Sequence, residues 1–327
     1  MTPTGTQHAA EHDVTVTIDG TEVSVPEGST ILDACREIGT EQPTLCWVST
    51  LTPVNVCRVC VVEVEGSRTL VPSCSRAVED GMSIQTDSDR VRHSRKMVLE
   101  FLDSSADLSK SEMAPWMERY GVDSARYGPP SGPRDDRDDR HAGHHPEPDG
   151  ATAETVDQPV KVDNALYIRD YASCILCYKC VQACGEEAQN TYAIAVAGRG
   201  FDARISTELD TPLTDSACVF CGNCVGVCPT GALQFRSEYE MRRAGIWNED
   251  EQKVTRTVCS YCAIGCNLEL HVQDNRIVKV TSPLDHSVTH GNLCVKGRFG
   301  YDYVQELGDL ATSPIDEVLR AARADPP

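Results

Sequence analysis

The sequence predicts an α+β chain assembled from several small units, and three observations point there. Short stretches of alternating apolar residues are broken by tight turns and brief helices, with no single long pattern running through the 327 residues. Sixteen of the 17 cysteines fall into four sets of four, with spacings too regular for scattered core thiols. Residues 130–163 contain no Leu, Ile, Met or aromatic residue, so they cannot bury a core and must separate units that do.

The elements follow in order. Val14, Val16 and Ile18 alternate, Asp19-Gly20 supplies a hairpin turn, and Val23 and Val25 alternate again, which gives two paired strands. Gly28-Ser29-Thr30 then opens a helix in which Ile31, Ala34, Cys35 and Ile38 share one face, and Gly39 is positioned to end it. After a cysteine-bearing loop, VCVVEVEG and RTLVPSC read as strands that close a sheet around the helix, completing a unit over 12–89. The pattern VRHSRKMVLEFL predicts an amphipathic helix in a segment 90–129. Residues 130–163 read as a disordered acidic linker, in which His141, His144 and His145 belong to a solvated polar tract, a metal site being the alternative. Within 164–245 two similar cysteine runs flank NTYAIAVAGRGFDARIST, a strand, turn and strand. In 252–307, Leu268, Leu270 and Val272 alternate before Asp274-Asn275, and Ile277, Val278 and Val280 follow it, predicting a hairpin with a cysteine-rich loop at one end. Residues 308–327 form a tail.

Charge narrows the function. Lys+Arg 30 against Asp+Glu 50 gives a formal charge of -20, and phosphate binding needs a basic surface, so nucleic acid is excluded as a partner. Lys is scarce (7) beside Arg (23), so the acidic excess reads as a solvated surface suited to high salt, an acidic docking face for a basic redox partner being the alternative. No apolar run approaches the roughly 18 to 20 residues that cross a bilayer. The start, MTPTGTQHAAEHD, lacks a basic n-region, an apolar h-region and a twin-arginine pair, so the expected location is the cytoplasm. In that reducing compartment dense cysteines mean metal or redox chemistry, not a disulfide framework.

The first set, Cys46-x10-Cys57-x2-Cys60-x13-Cys74, differs from the plant-type C-x4-C-x2-C spacing but keeps its logic. A loop wraps thiolates around two irons and a distant strand supplies the fourth, which points to a [2Fe–2S] cluster; a four-cysteine zinc site fits the spacing too. The second and third sets are Cys174-x2-Cys177-x2-Cys180-x3-Cys184 and Cys218-x2-Cys221-x2-Cys224-x3-Cys228-Pro229. This is the bacterial ferredoxin run, in which the fourth cysteine of each repeat ligates the other cluster. The expected [4Fe–4S] sets are therefore Cys174, Cys177, Cys180 and Cys228, and Cys184, Cys218, Cys221 and Cys224. The fourth set is Cys259-x2-Cys262-x3-Cys266-x27-Cys294, followed by Val295-Lys296-Gly297. Cys35 is left over and reads as a core residue.

The segments VTVTIDG, VPEGSTILDA, PTLCW, CRVCVVEVEG, RTLVPSC and VRHSRKMVLEFL resemble the N-terminal portion of the cytoplasmic molybdenum- or tungsten-dependent formate dehydrogenase large subunits. They are also similar to the large iron–sulfur subunit of respiratory complex I and to the diaphorase parts of some hydrogenases. VCSYCAIGCNLEL with NLCVKGRFGYDYV resembles the N-terminal [4Fe–4S] domain of molybdopterin oxidoreductases. The resemblance implies a β-grasp [2Fe–2S] ferredoxin-like domain, a double [4Fe–4S] bacterial-ferredoxin-like domain and a small β-rich [4Fe–4S] domain on the fourth set. It implies that Lys296 lies between the last cubane and a pterin and assists electron passage, an ordinary surface lysine being the alternative. It further implies that electrons enter from a metal–pterin site in a partner chain and leave by the [2Fe–2S] end to a NAD/flavin subunit or a soluble ferredoxin-type carrier. Gly185, where a simple ferredoxin has proline, is a departure shared by this family.

Two family features are missing. Relatives with the longest electron wire carry a His-x3-Cys-x2-Cys-x5-Cys cluster after the first helix, whereas this chain has no cysteine between Cys74 and Cys174, and His93 reads as a helix residue. Only 33 residues follow Cys294, too few for the body that encloses the pterin, so the expectation is a chain without molybdopterin and inactive toward formate unless a separate catalytic chain is supplied. The alternatives are a complex I-like or hydrogenase diaphorase iron–sulfur subunit and, from another class, a zinc-stapled interaction protein.

Overall fold

The computed structural model describes residues 12–127, 160–199, 203–306 and 314–324. Residues 130–159 of the expected linker, with His141, His144 and His145, lie outside the described residues. The chain divides into two units, one made of the residues up to Trp47 with Asn55–Phe101 and Met113–Asp123, the other of Val48–Val54, Leu102–Glu112 and the residues from Ser124 on. Among the described residues no helix is long and apolar enough to cross a membrane.

In the first unit, β1 (Asp13–Ile18) and β2 (Thr21–Pro26) form the expected hairpin, with Asp19 and Gly20 at φ 48° and 84° in its turn. Helix α1 (Ile31–Glu37) starts at a capping box: the Thr30 hydroxyl accepts from the Asp33 amide, and the Asp33 carboxylate accepts from the Thr30 amide. Strands β3 (Val61–Val64), β4 (Val71–Pro72) and β5 (Ser83–Gln85) complete a sheet of order β2-β1-β5-β3-β4, in which β1 and β5 are parallel and the other pairs antiparallel. Val16, Ile18, Ile31, Ala34, Val62 and Ile84 make the core between this sheet and α1. Helix α2 (Asp89–Ser105) follows, then α3 (Ala114–Tyr120), which ends at Gly121 with φ 61°. Arg95 of α2 is 1% exposed; it donates to the Val61 carbonyl at 2.8 Å and to the Tyr120 hydroxyl at 2.7 Å, anchoring both helices to the strand that leaves Cys60.

In the second unit β6 (Tyr167–Arg169) precedes α4 (Lys179–Cys184), and β7 (Ala195–Ala197) and β8 (Arg204–Ser206) form the antiparallel pair expected from the strand, turn and strand pattern. Next come α5 (Asn223–Gly226), β9 (Leu233–Phe235) and α6 (Arg236–Arg243). Strand β9 returns to pair antiparallel with β6, so the two cysteine runs are enclosed between these strands in sequence and share one core with Tyr167, Ile194, Ile205, Leu233 and Phe235. A three-stranded antiparallel sheet then runs in chain order, β10 (Lys253–Val258), β11 (Asn267–Gln273) and β12 (Arg276–Thr281). The last two strands are the expected hairpin; β10 is exposed along its whole length, which is why no apolar alternation marks it. Helices α7 (Val295–Phe299), α8 (Asp302–Glu306) and α9 (Pro314–Ala324) follow. Part of the region read as a tail is thus helical: Ile315 of α9 is buried with Met241 and Val278, and Asp316 pairs with Arg276 at 2.6 Å.

Candidate metal centres

The loop between α1 and β3 brings Cys46, Cys57 and Cys60 to Cys74, and all four are buried. Two non-glycine residues of this loop, Asn55 and Arg58, adopt left-handed backbone, φ 64° and 58°, which bends it tightly enough to turn successive thiols inward. The four thiols hydrogen-bond among themselves. Bonds from Cys57 and then Cys74 pull the Cys46 thiol down to about 2, and a bond from Cys74 pulls Cys60 down to about 6; the donors Cys57 and Cys74 are pushed up. Four thiols within hydrogen-bonding reach of one another form a ligand set that a metal can occupy once it displaces their protons, since a metal binds thiolate rather than thiol. Leu32 and Trp47 cover the thiols, and Arg36 lies 4.0 Å over the Trp47 ring.

The two cysteine runs of the second unit show the same device twice. Leu176 and Tyr178 in the first run, and Phe220 and Gly222 in the second, occupy equivalent positions and all have positive φ, 52°, 65°, 56° and 71°. The run then enters a short helix, α4 or α5, which carries the third cysteine. Two cavities result. One is lined by Cys174, Cys177, Cys180 and Cys228, the other by Cys184, Cys218, Cys221 and Cys224. Each therefore takes three close cysteines from one run and the last cysteine of the other. Burial pushes Cys174 up to about 12 and holds Cys180 and Cys224 well above the usual thiol range. Donors point at the sulfurs: Ala193 N–H at 3.3 Å from Cys184 Sγ, Phe220 N–H at 3.4 Å from Cys218 Sγ and Leu233 N–H at 3.4 Å from Cys228 Sγ. Gly185 fits its place because its N–H donates to the Val181 carbonyl at 2.8 Å, a bond that proline could not make, and a Cβ would meet that oxygen at 3.1 Å.

The fourth set gathers between β10, β11 and the start of α7. Cys259 N–H donates to the Cys266 carbonyl at 2.8 Å, and Gly297 packs beside Cys259, where a Cβ would make an ordinary contact with its sulfur at 3.7 Å. Burial, and then the facing Cys259, Cys262 and Cys294, push the Cys266 thiol up. Cys262 and Cys294 are exposed, unlike the ligand candidates of the other sets. Lys296 is exposed on the first turn of α7. Cys35 lies apart in the first core, 0% exposed, and burial pushes its thiol up to about 12.

Sequence reasoning missed three side chains at these centres. The Tyr167 hydroxyl is 3.1 Å from Cys218 Sγ. Asn223, inside the CGNC run, accepts at Oδ1 from the Leu293 amide at 2.9 Å and from Arg298 at 3.0 Å. Arg298 itself is 1% exposed, and burial lowers it to about 10 while the sulfurs of Cys221, Cys224 and Cys294 oppose that shift. A pair of glycines four apart, Gly222 and Gly226, was the available signal that something large packs on that face.

Three segments of the chain match known protein families. Residues 11–89 match a 2Fe-2S iron–sulfur cluster binding domain, residues 167–234 the ferredoxin-like domain of NADH-quinone oxidoreductase subunit 3, and residues 252–306 the Fe4S4 domain of molybdopterin oxidoreductases. The alpha subunit of a NADPH-Fe(3+) oxidoreductase from Geobacter sulfurreducens is 33% identical over 95% of this chain and 33% of its own length. A putative formate dehydrogenase from Staphylococcus haemolyticus is 24% identical over 88% of this chain and 31% of its own. The chain thus spans about a third of the length of the curated relatives it matches. A chain of the NAD+-reducing [NiFe]-hydrogenase, solved in its H2-reduced state, shares the fold with TM-score 0.54 at 24% identity, over 70% of this chain and 88% of that one.

Proposed function

We propose that this multi-cluster iron–sulfur electron-transfer chain holds one [2Fe–2S] cluster on Cys46, Cys57, Cys60 and Cys74, and three [4Fe–4S] clusters. The latter sit on Cys174, Cys177, Cys180 and Cys228, on Cys184, Cys218, Cys221 and Cys224, and on Cys259, Cys262, Cys266 and Cys294. The chain is the electron-wire portion of a formate dehydrogenase-like oxidoreductase in the cytoplasm, working between a metal–pterin site in a partner chain and a NAD/flavin subunit or soluble ferredoxin-type carrier. The observation that carries this reading is the pair of cavities that sorts eight cysteines into two crossed sets. The sheet order and the parallel β1–β5 pair support a β-grasp description of the first unit.

Each cluster, when bound, supplies a one-electron carrier whose potential depends on its charge, its burial and the hydrogen bonds to its sulfurs. The chain's own residues set those terms. Thiolates bind the irons, the apolar walls exclude water, and the amides of Ala193, Phe220 and Leu233 donate to ligand sulfurs. Lys296, exposed beside Cys294, is the residue assigned to face the pterin.

Anaerobic reconstitution with iron and sulfide tests the reading. About 14 irons per chain are expected from the usual cluster stoichiometry, with electron paramagnetic resonance signals of both cluster types. With a metal–pterin partner present, formate should reduce the clusters and so produce those signals, and Lys296→Ala should slow the reduction at unchanged iron content. A colourless chain loaded with zinc overturns the proposal. The match of residues 167–234 to a NADH-quinone oxidoreductase domain favours a second reading, a complex I-like or hydrogenase diaphorase subunit. Cluster reduction by NADH through a flavin partner, with none by formate through a pterin partner, decides for it.

A further inference from the structure

Helix α7 follows Cys294 and inserts two side chains into the core that surrounds the two ferredoxin-like cysteine sets. Phe299 packs against the Tyr167 and Phe235 rings, with centroids 5.8 and 5.5 Å apart. Arg298 goes deeper. Its Nε donates to the Cys221 carbonyl at 3.0 Å, and one terminal nitrogen donates to Asn223 Oδ1 at 3.0 Å and to the Gly291 carbonyl at 3.2 Å. The seat is built for it. A Cβ at Gly222 would stand 2.5 Å from Arg298 Cδ and 2.8 Å from the Phe299 ring, so a larger residue there must displace both side chains, and one at Gly226 would crowd a terminal nitrogen at 3.3 Å.

All three acceptors are neutral, and among the described residues no carboxylate pairs with Arg298. A guanidinium buried to 1% without an anion is costly, because neutral dipoles replace only part of the water it loses. The groups that do face it are sulfurs, those of Cys221 and Cys224 from one set and Cys294 from another. A sulfur that binds iron does so as thiolate, so the charge opposite Arg298 belongs to the loaded cluster.

We propose that Arg298 is the built-in counter-cation of the cluster on Cys184, Cys218, Cys221 and Cys224, holding that cluster's reduction potential up while bridging it to the Cys294 centre. The proposal rests on the ligand sets given above. Adding an electron makes a four-thiolate cluster more negative, so a fixed cation beside it stabilises the reduced form more than the oxidised form. Arg298 acts through charge and is not a ligand. Its shape also matters: the planar fork spans the Cys221 carbonyl and Asn223 together, joining the second cysteine run to the segment that ends in Cys294.

The test is a redox titration followed by electron paramagnetic resonance on the full reconstituted chain, as wild type, Arg298→Gln and Arg298→Lys. The relevant signal is identified by its loss in Cys218→Ala. Arg298→Gln should keep its iron and shift the reduction equilibrium of that cluster about tenfold or more toward the oxidised form, which is 59 mV for a one-electron couple. Arg298→Lys, which keeps the charge and loses the fork, should recover most of the shift, and the Cys174, Cys177, Cys180 and Cys228 cluster should move less. A fully loaded Arg298→Gln chain with an unchanged equilibrium overturns the counter-cation role alone. Equal shifts in the Gln and Lys variants, or loss of iron in both, also overturn it, since they report shape and not charge. Wild-type chain that takes up no iron fails the ligand sets themselves.

Discussion

The Tyr167 hydroxyl lies 3.1 Å from Cys218 Sγ, and the same ring stacks on Phe299. Burial, ahead of the nearby Cys224 sulfur, pushes the phenol well above its ordinary value, so it remains O–H and donates once the sulfur is a thiolate. A hydrogen bond to a ligand sulfur withdraws charge from a cluster and raises its potential. Tyr167→Phe should therefore keep the stack and the iron content and lower the potential of the Cys218 cluster. The change should be smaller than that of Arg298→Gln, because a dipole is replaced and not a full charge. A potential equal to wild type means that the O–H turns elsewhere.

Cys228 shares a cavity with Cys174, Cys177 and Cys180, and Leu233 N–H points at its sulfur. Removing Cys228 should damage the cluster of the first run. Cys228→Ala with Cys174→Ala should then cost little more than either change alone, since both fall on one cluster, whereas Cys228→Ala with Cys221→Ala should harm two. Spectra in which Cys228 acts together with Cys221 would reverse the assignment.

The iron–sulfur character of the three matched segments was legible in cysteine spacing, because a cluster must be wrapped by a short loop and local sequence encodes that loop. The hairpins around Asp19-Gly20 and Asp274-Asn275 were legible for a similar reason: alternation and turn chemistry are neighbours in sequence. Strand β5 was not, since three residues with one buried side chain, Ile84, carry no period and their place beside β1 is a long-range choice. Strand β10 escaped because it is exposed throughout, and α9 because its apolar residues cover Met241 and Val278, which belong to distant elements. Lys296 and Arg298 stand two apart in KGR, yet one is exposed and the other 1% exposed. Nothing local separates them; the separating feature is Gly222, 76 residues earlier than Arg298.

Cys35 packs with Ile31, Ala34 and Val62 and lines neither of the ferredoxin-like cavities. With its thiol pushed up to about 12 by burial, it should be inert to alkylation in the native chain. Cys35→Ala should retain the full iron complement and cost about 1 kcal/mol, the loss of one buried atom from a close-packed core. Cys60→Ala should lose the [2Fe–2S] signal. Loss of that signal in the Cys35 variant instead would make it a ligand.

His271 provides a pH test of the last sheet. On β11 it faces Lys279 of β12, and its Nε2 is 2.9 Å from Thr281 Oγ1, whose hydroxyl donates to Glu269 at 3.1 Å. Burial, with Lys279 adding to it, lowers the imidazole from 6.5 to about 4, against the opposing pull of Glu269, Glu238 and Glu249. The unfolded chain therefore binds a proton below about pH 6.5 that the folded chain refuses until about pH 4. Stability must rise with pH across that window, because the unfolded state holds more protons there. Above pH 6.5 this residue contributes no slope, and below about pH 4 its contribution levels off. His271→Gln can still bond to Thr281 and does not titrate in this range. Between pH 7 and pH 5 its denaturation midpoint should fall less than that of wild type, any carboxylate contribution being common to both. Parallel pH curves for the two chains would show that His271 charges freely in the folded state and that the sheet does not bury it.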